Sequence, residues 1–163
     1  MNTIQALADQ LGQQLTARKM IVTTAESCTG GGVAQAITMI PGSSGWFELG
    51  FVTYSNRTKR QQLGVDTATL LKYGAVSEEV VKAMVKGALQ VSNASVGVAV
   101  SGVAGPTCSD EKPVGSVWFA WQLVGGTFVT AHHQFAGNRE TIRNQSVETA
   151  LEGLNRIIEN DTV

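Results

Sequence analysis

The chain has 163 residues, with 12 Lys and Arg against 13 Asp and Glu, a formal net charge of −1 and two cysteines, Cys28 and Cys108. A chain this long buries roughly 70% of its unfolded surface and needs no staple, which favours one domain over 1–163. The balanced charge excludes a general binder of nucleic acid or membrane surfaces, and the cysteines form no disulfide framework or metal-ligand spacing.

Ile4, Leu7, Ala8, Leu11 and Leu15 lie on one helical stripe, and Met20 to Thr24 is an apolar, β-branched strand run. Neither this start nor any later run reads as a leader or as a span of about 18 apolar residues, so a soluble, cytoplasmic protein is expected. A second helix over Val33 to Met39 ends at Pro41-Gly42. A strand over Leu49 to Ser55 follows, then a polar segment from Asn56 to Leu63 stopped by Gly64. Ser77 with Glu78 and Glu79 opens a long helix whose Val80, Val81, Met84, Val85, Ala88 and Leu89 face a core, and Val96 to Ser101 is a buried strand. After a loop over Gly102 to Pro113, Ser116 to Val124 and Thr127 to Phe135 form an antiparallel pair turned by Gly125-Gly126. A last helix covers Arg139 to Glu159. The alternation predicts an α/β fold: a three-layer α/β/α single domain with a mixed sheet.

Ligands in such sheets bind beyond the carboxyl ends of strands. Three polar or glycine-rich loops leave strands here: Ala25 to Gly32, Tyr54 to Lys59 and Ser101 to Gly115. The first is the most informative, because Ser27 stands between a strand and a helix beside Thr29, Gly30, Gly31 and Gly32. Glycines allow a sharp turn and close backbone approach, and the helix start offers N–H groups to an anion. That is the setting of a nucleophile with an oxyanion hole. Ser27 or Thr29 as a plain helix cap fits the same string.

Six blocks taken together resemble the CinA C-terminal family: Ala25-Glu26-Ser27-Cys28-Thr29-Gly30-Gly31; Tyr54-Ser55-Asn56 with Lys59 and Leu63-Gly64-Val65; Gly74-Ala75-Val76-Ser77-Glu78-Glu79; Ser101-Gly102-Val103-Ala104-Gly105-Pro106; Lys112-Pro113-Val114-Gly115; and Phe135-Ala136-Gly137-Asn138-Arg139 with Ile142-Arg143. The blocks span nearly the whole chain, in family order. The length matches the stand-alone form of that domain, without the additional N-terminal domain of larger members. Thr107-Cys108 departs from the glycines frequent there in the family. The resemblance implies hydrolysis of the carboxamide of nicotinamide mononucleotide to nicotinate mononucleotide and ammonia, without metal or other cofactor, with Ser27 as nucleophile and Lys59 as base.

The chemistry asks for a deprotonated hydroxyl, a proton donor for the leaving nitrogen and stabilisation of an oxyanion. Lys59 can serve both proton steps if its pKa is lowered; otherwise it is a solvated helix lysine. Arg139 and Arg143, one helical turn apart, form a candidate phosphate clamp, or are surface residues paired with acids such as Glu140. Ser101, Gly102 and Gly105 offer hydroxyl and backbone donors to ribose or phosphate, as do Thr29, Gly30 and Gly31 in the first loop. Asn56 and Tyr54 join the binding set, Tyr54 alternatively being a core aromatic. Glu26 either orients Lys59 or satisfies loop N–H groups. Cys28 is a rival nucleophile without a nearby histidine, since His132 and His133 face opposite ways on a strand. Trp46, Trp118 and Trp121 read as core or subunit-contact residues. The implied partner is a small-molecule nucleotide, with no nucleic acid and no membrane, and a homo-oligomer stays open. Rival readings are a catalytically silent nucleotide-binding or regulatory module, which the presence of both Ser27 and Lys59 disfavours, and an amidase for another small amide.

Overall fold

In the computed structural model, which describes residues 2–108 and 112–161, the first apolar stripe becomes helix α1 (Thr3–Arg18). Asn2 caps it by accepting from the Gln5 N–H at 2.8 Å. The other elements follow in chain order: β1 (Val22–Glu26), α2 (Gly32–Thr38), β2 (Phe47–Val52), α3 (Asn56–Leu63), α4 (Thr67–Tyr73), α5 (Glu78–Ser92), β3 (Val96–Gly102), β4 (Ser116–Leu123), β5 (Phe128–Gln134) and α6 (Arg139–Glu159). A short 3-10 turn, Ser43–Gly45, precedes β2.

The five strands form one mixed sheet in the order β2-β1-β3-β4-β5. β1 runs parallel to β2 and β3, whereas β4 is antiparallel to both β3 and β5. Side chains alternate between the faces. Val22, Val98, Val100 and Phe119 meet α1, α2 and α6 through Leu11, Leu15, Ile37, Leu151 and Leu154. On the other face Ala25, Ala99 and Ala120 meet α5, α3 and α4 through Val80, Val81, Met84, Leu63 and Leu70. The small residues on this second face let α5 lie close. Each fully buried Val, Leu, Ile, Phe or Met contributes about 1.5–3 kcal/mol of burial, so two filled faces fix the three layers. A tight seam runs between α6 and β4. A Cβ at Gly153 would collide with the Trp121 ring, whose Nε1 donates to the Ala150 carbonyl at 3.0 Å.

Several boundaries differ from the sequence expectation. β2 lies earlier than Leu49 to Ser55, because Ser55 begins a helix instead: its hydroxyl accepts from Thr58 N–H while Thr58 Oγ1 accepts from Ser55 N–H. This capping box turns the polar segment into α3. The seven-residue α4 has no capping side-chain hydrogen bond and is too short to show a period, which is why residue pattern did not mark it. Of the Gly125-Gly126 pair expected at the hairpin, only Gly125 uses a positive φ, at 75°. The turn is set one residue earlier, Gly126 N–H donating to the Leu123 carbonyl at 2.8 Å. Within the expected Gly102 to Pro113 loop, residues 109–111 lie outside those described. No helix among the described residues is long and apolar enough to cross a membrane.

Candidate active site

From β1 the chain goes out to β2 on one side and returns as β3 on the other, so the loops leaving β1 and β3 diverge. That divergence opens a crevice at the carboxyl ends of the parallel strands. Ser27 is the first residue beyond β1, and its N–H still pairs with the Val100 carbonyl of β3 at 3.0 Å. The pairing holds the serine backbone rigidly in the crevice. The chain then turns through Gly30 and Gly31, with φ of 59° and 99°, values that side-chain-bearing residues seldom adopt. Gly30 N–H closes on the Ser27 carbonyl and Gly32 N–H on the Thr29 carbonyl, each at 3.0 Å.

Neither Ser27 nor Thr29 caps α2. The cap position is Gly31, and the free N–H groups of the helix start are taken by Glu26, whose carboxylate accepts from Val33 and Ala34 at 2.8 and 3.1 Å. A carboxylate suits the positive end of a helix. Glu26 therefore satisfies backbone N–H groups from a fully buried position, and it does not line the cavity. With the cap supplied by Glu26, the Ser27 hydroxyl is left for other work.

Lys59 provides its partner. The Ser55 capping box starts α3 so that Lys59 and Leu63, one turn apart, both face inward, while Arg57, Arg60 and Gln61 do not. The Lys59 side chain is only 1% exposed. Its Nζ donates to Ser27 Oγ at 3.0 Å and to the Thr53 carbonyl at 2.8 Å. This is not the solvated lysine that its polar sequence neighbours suggest.

A cavity of about 280 Å³ opens over this pair, lined by Ser27, Cys28, Tyr54, Asn56, Lys59, Ala75, Val76, Ser101 to Gly105, Thr107 and Arg139. The structure thus brings Ser27, Lys59, Tyr54, Asn56, Ser101, Gly102, Gly105 and Arg139 to one place. Arg139 Nη2 donates to the Tyr54 hydroxyl at 2.9 Å and Nη1 to the Gly105 carbonyl at 2.6 Å. Tyr54 is 59% exposed, so the core-aromatic alternative fails. Ser101 donates to the Ala75 carbonyl at 2.8 Å, which draws the segment before α5 into the wall. Ala75, Val76, Val103, Ala104 and Thr107 line the cavity without having been singled out. The sequence hints for Ala75 and Val76 were their place before the Ser77 helix start and within one of the six blocks of the resemblance.

Thr29, Gly30, Gly31 and Arg143 do not line it. Thr29 is buried with its hydroxyl unpaired among the described residues. The two glycines shape the turn behind the serine. Arg143 separates from Arg139 in role: its Nε donates to the Cys28 carbonyl and its Nη2 to the Thr29 carbonyl, each at 3.2 Å. The expected two-arginine clamp is one cavity arginine and one loop-holding arginine.

Cys28 is a poor rival for the serine. Burial, reinforced by the Glu26 charge, pushes its thiol up to about 12, so it stays protonated at neutral pH. His132 pairs with Ser116 and His133 stacks on Phe135, both away from the cavity. Among the described residues no three His, Cys, Asp or Glu side chains gather as metal ligands. The lining side chains include two basic residues, Lys59 and Arg139, and no carboxylate among the described residues.

A family model for the CinA C-terminal domain matches residues 4–158. The nicotinamide-nucleotide amidohydrolase PncC of Pseudomonas putida is 55% identical over 155 residues, covering 94% of this chain and 96% of that protein. Its Escherichia coli K12 namesake is 52% identical over 152 residues, covering 93% and 92%. Among solved structures, the competence/damage inducible protein CihA of Agrobacterium tumefaciens superposes with a TM-score of 0.94 at 42% identity, covering 98% of each chain.

Proposed function

The chain belongs to the CinA C-terminal domain family, and on that premise we propose that it converts nicotinamide mononucleotide to nicotinate mononucleotide and ammonia, with Ser27 as nucleophile and Lys59 as base and acid. The observation that carries the reading is the buried contact of 3.0 Å between Lys59 Nζ and Ser27 Oγ under the cavity.

The Ser27 Oγ attacks the carboxamide carbon as Lys59 takes its proton. An ordinary lysine is neutral in only about one molecule in a few thousand at pH 7. Withdrawal of the side chain from water works toward the neutral amine, and so does the cationic pyridinium ring of the substrate when it enters. The same ring draws electrons from the carboxamide and makes it a better electrophile. As the tetrahedral intermediate collapses, Lys59 returns the proton to nitrogen and ammonia leaves, which gives an ester on Ser27. Water, deprotonated by Lys59, then cleaves the ester and restores the hydroxyl. At the other end of the cavity Arg139 holds the phosphate, exchanging its bonds to Tyr54 and Gly105 for phosphate oxygens. Asn56, Ser101 and the backbone of Gly102 to Gly105 face the ribose.

The test is ammonia release from nicotinamide mononucleotide, nicotinamide riboside and nicotinamide. The phosphorylated compound is expected to react fastest. Equal rates on all three would leave an amidase without nucleotide specificity.

A further inference from the structure

We propose that Arg143 is a positioning residue that, by holding the carbonyls of Cys28 and Thr29, aims a backbone N–H of the Ser27 turn at the developing oxyanion. The proposal rests on the serine-nucleophile reading above and adds to it the origin of oxyanion stabilisation.

In a trans peptide the C=O and N–H point in opposite directions. The plane joining Cys28 to Thr29 is fixed by its oxygen to α6, through Arg143 Nε at 3.2 Å. Its N–H, on Thr29, therefore points away from α6. The next plane has its oxygen held twice, by Arg143 Nη2 at 3.2 Å and by Gly32 N–H at 3.0 Å. Its own N–H, on Gly30, closes on the Ser27 carbonyl. The held Ser27 carbonyl in turn fixes the plane joining Ser27 to Cys28, so its N–H, on Cys28, points the opposite way, from a residue that lines the cavity as Thr29 does not. Among the described residues, the Cys28 N–H makes no backbone hydrogen bond.

The fit of the guanidinium is specific. A Cβ at Gly30 would stand 3.1 Å from Nη2, so the glycine both reverses the chain and admits the arginine. Two N–H directions of one rigid fork reach two successive carbonyls, which a lysine ammonium cannot reproduce in the same geometry. A cation on the Thr29 carbonyl also polarises that peptide and strengthens the Gly30 N–H that holds the Ser27 carbonyl. Arg143 does not line the cavity, whereas Arg139 does.

Removing one oxyanion donor outright lowers kcat about 10²- to 10³-fold. Losing only its aim should lower kcat by roughly 10- to 100-fold in Arg143→Ala, with KM changed less than about threefold. The variant is assayed on nicotinamide mononucleotide and nicotinamide riboside. The same factor in kcat is expected for both, with partial rescue by millimolar methylguanidinium and none by methylammonium. A penalty confined to the phosphorylated substrate, or carried by KM, would make Arg143 a phosphate ligand and overturn the proposal, as would absence of rescue. If Arg143→Ala does not fold, Arg143→Lys carries the same comparison of kcat and KM between the two substrates. If the wild type releases no ammonia from any pyridine amide, the substrate reading falls alone. The role of Arg143 is then read from Ser27 modification by an alkyl fluorophosphonate, which forms the O–P bond and expels fluoride. Modification at least tenfold slower in Arg143→Ala supports the proposal; equal rates, or an unreactive wild-type serine, overturn it.

Discussion

Replacing Lys59 separates catalysis from stability. Its side chain is 1% exposed and its Nζ touches both Ser27 Oγ and the Thr53 carbonyl. Lys59→Met keeps about the length of the apolar stem and removes the amine. For the fold, two effects oppose each other: an acceptor at Thr53 loses a donor, at about 1–3 kcal/mol, while the desolvation of a buried amine is relieved, which is of similar size. The net change in unfolding free energy should stay within about 2 kcal/mol. For the reaction nothing compensates. General base catalysis contributes about 10²- to 10⁴-fold, equivalent to about 3–5 kcal/mol in the barrier. Lys59→Arg should be as inactive as Lys59→Met, because a guanidinium keeps its proton at any working pH. The assay is steady-state ammonia release beside urea unfolding of the same preparations. An arginine variant with wild-type kcat would refute the base assignment and leave Lys59 a mere charge.

Arg139→Ala should slow hydrolysis of nicotinamide mononucleotide about ten- to a hundredfold, the value of one charge-assisted contact, and change the riboside rate little; an identical loss on both would take Arg139 off the phosphate. Glu26→Gln leaves one carbonyl oxygen for two N–H groups of α2, and urea unfolding should show about 1–3 kcal/mol lost; an unchanged midpoint would mean the carboxylate does not hold the helix start. Burial pushes the Cys28 thiol up to about 12 from its ordinary 9.0, so the folded state retains a proton that the unfolded chain gives up. Its contribution is complete below about pH 9 and fades as pH rises toward 12, and Cys28→Ala should flatten the alkaline limb of a stability-versus-pH curve.

The layers were legible in the sequence because they rest on period: the stripe from Ile4 to Leu15, the alternation through Val96, Val98 and Val100, the Ser77 helix start. The serine turn was legible for a local reason too, since a strand, a polar residue and three glycines before a helix leave few conformations. Lys59 was not. In sequence it sits among Arg57, Arg60 and Gln61, and only the tertiary placement of α3 turns it inward, so residue pattern alone favoured a solvated side chain and the family resemblance supplied the assignment. Glu26 was half-legible: the sequence offered two roles, and the choice depended on where α2 begins. The split between Arg139 and Arg143 was hidden because spacing says that both share a helix face, but not that the Ser27 turn rises to meet one of them.

The most direct test of the account is a paired assay of wild type and Ser27→Ala on nicotinamide mononucleotide in excess chelator, following ammonia and nicotinate mononucleotide together. The account predicts equal molar release of both products by the wild type, unaffected by chelator, and none above background from a folded Ser27→Ala protein. Substantial turnover by Ser27→Ala, or none by the wild type, would contradict it.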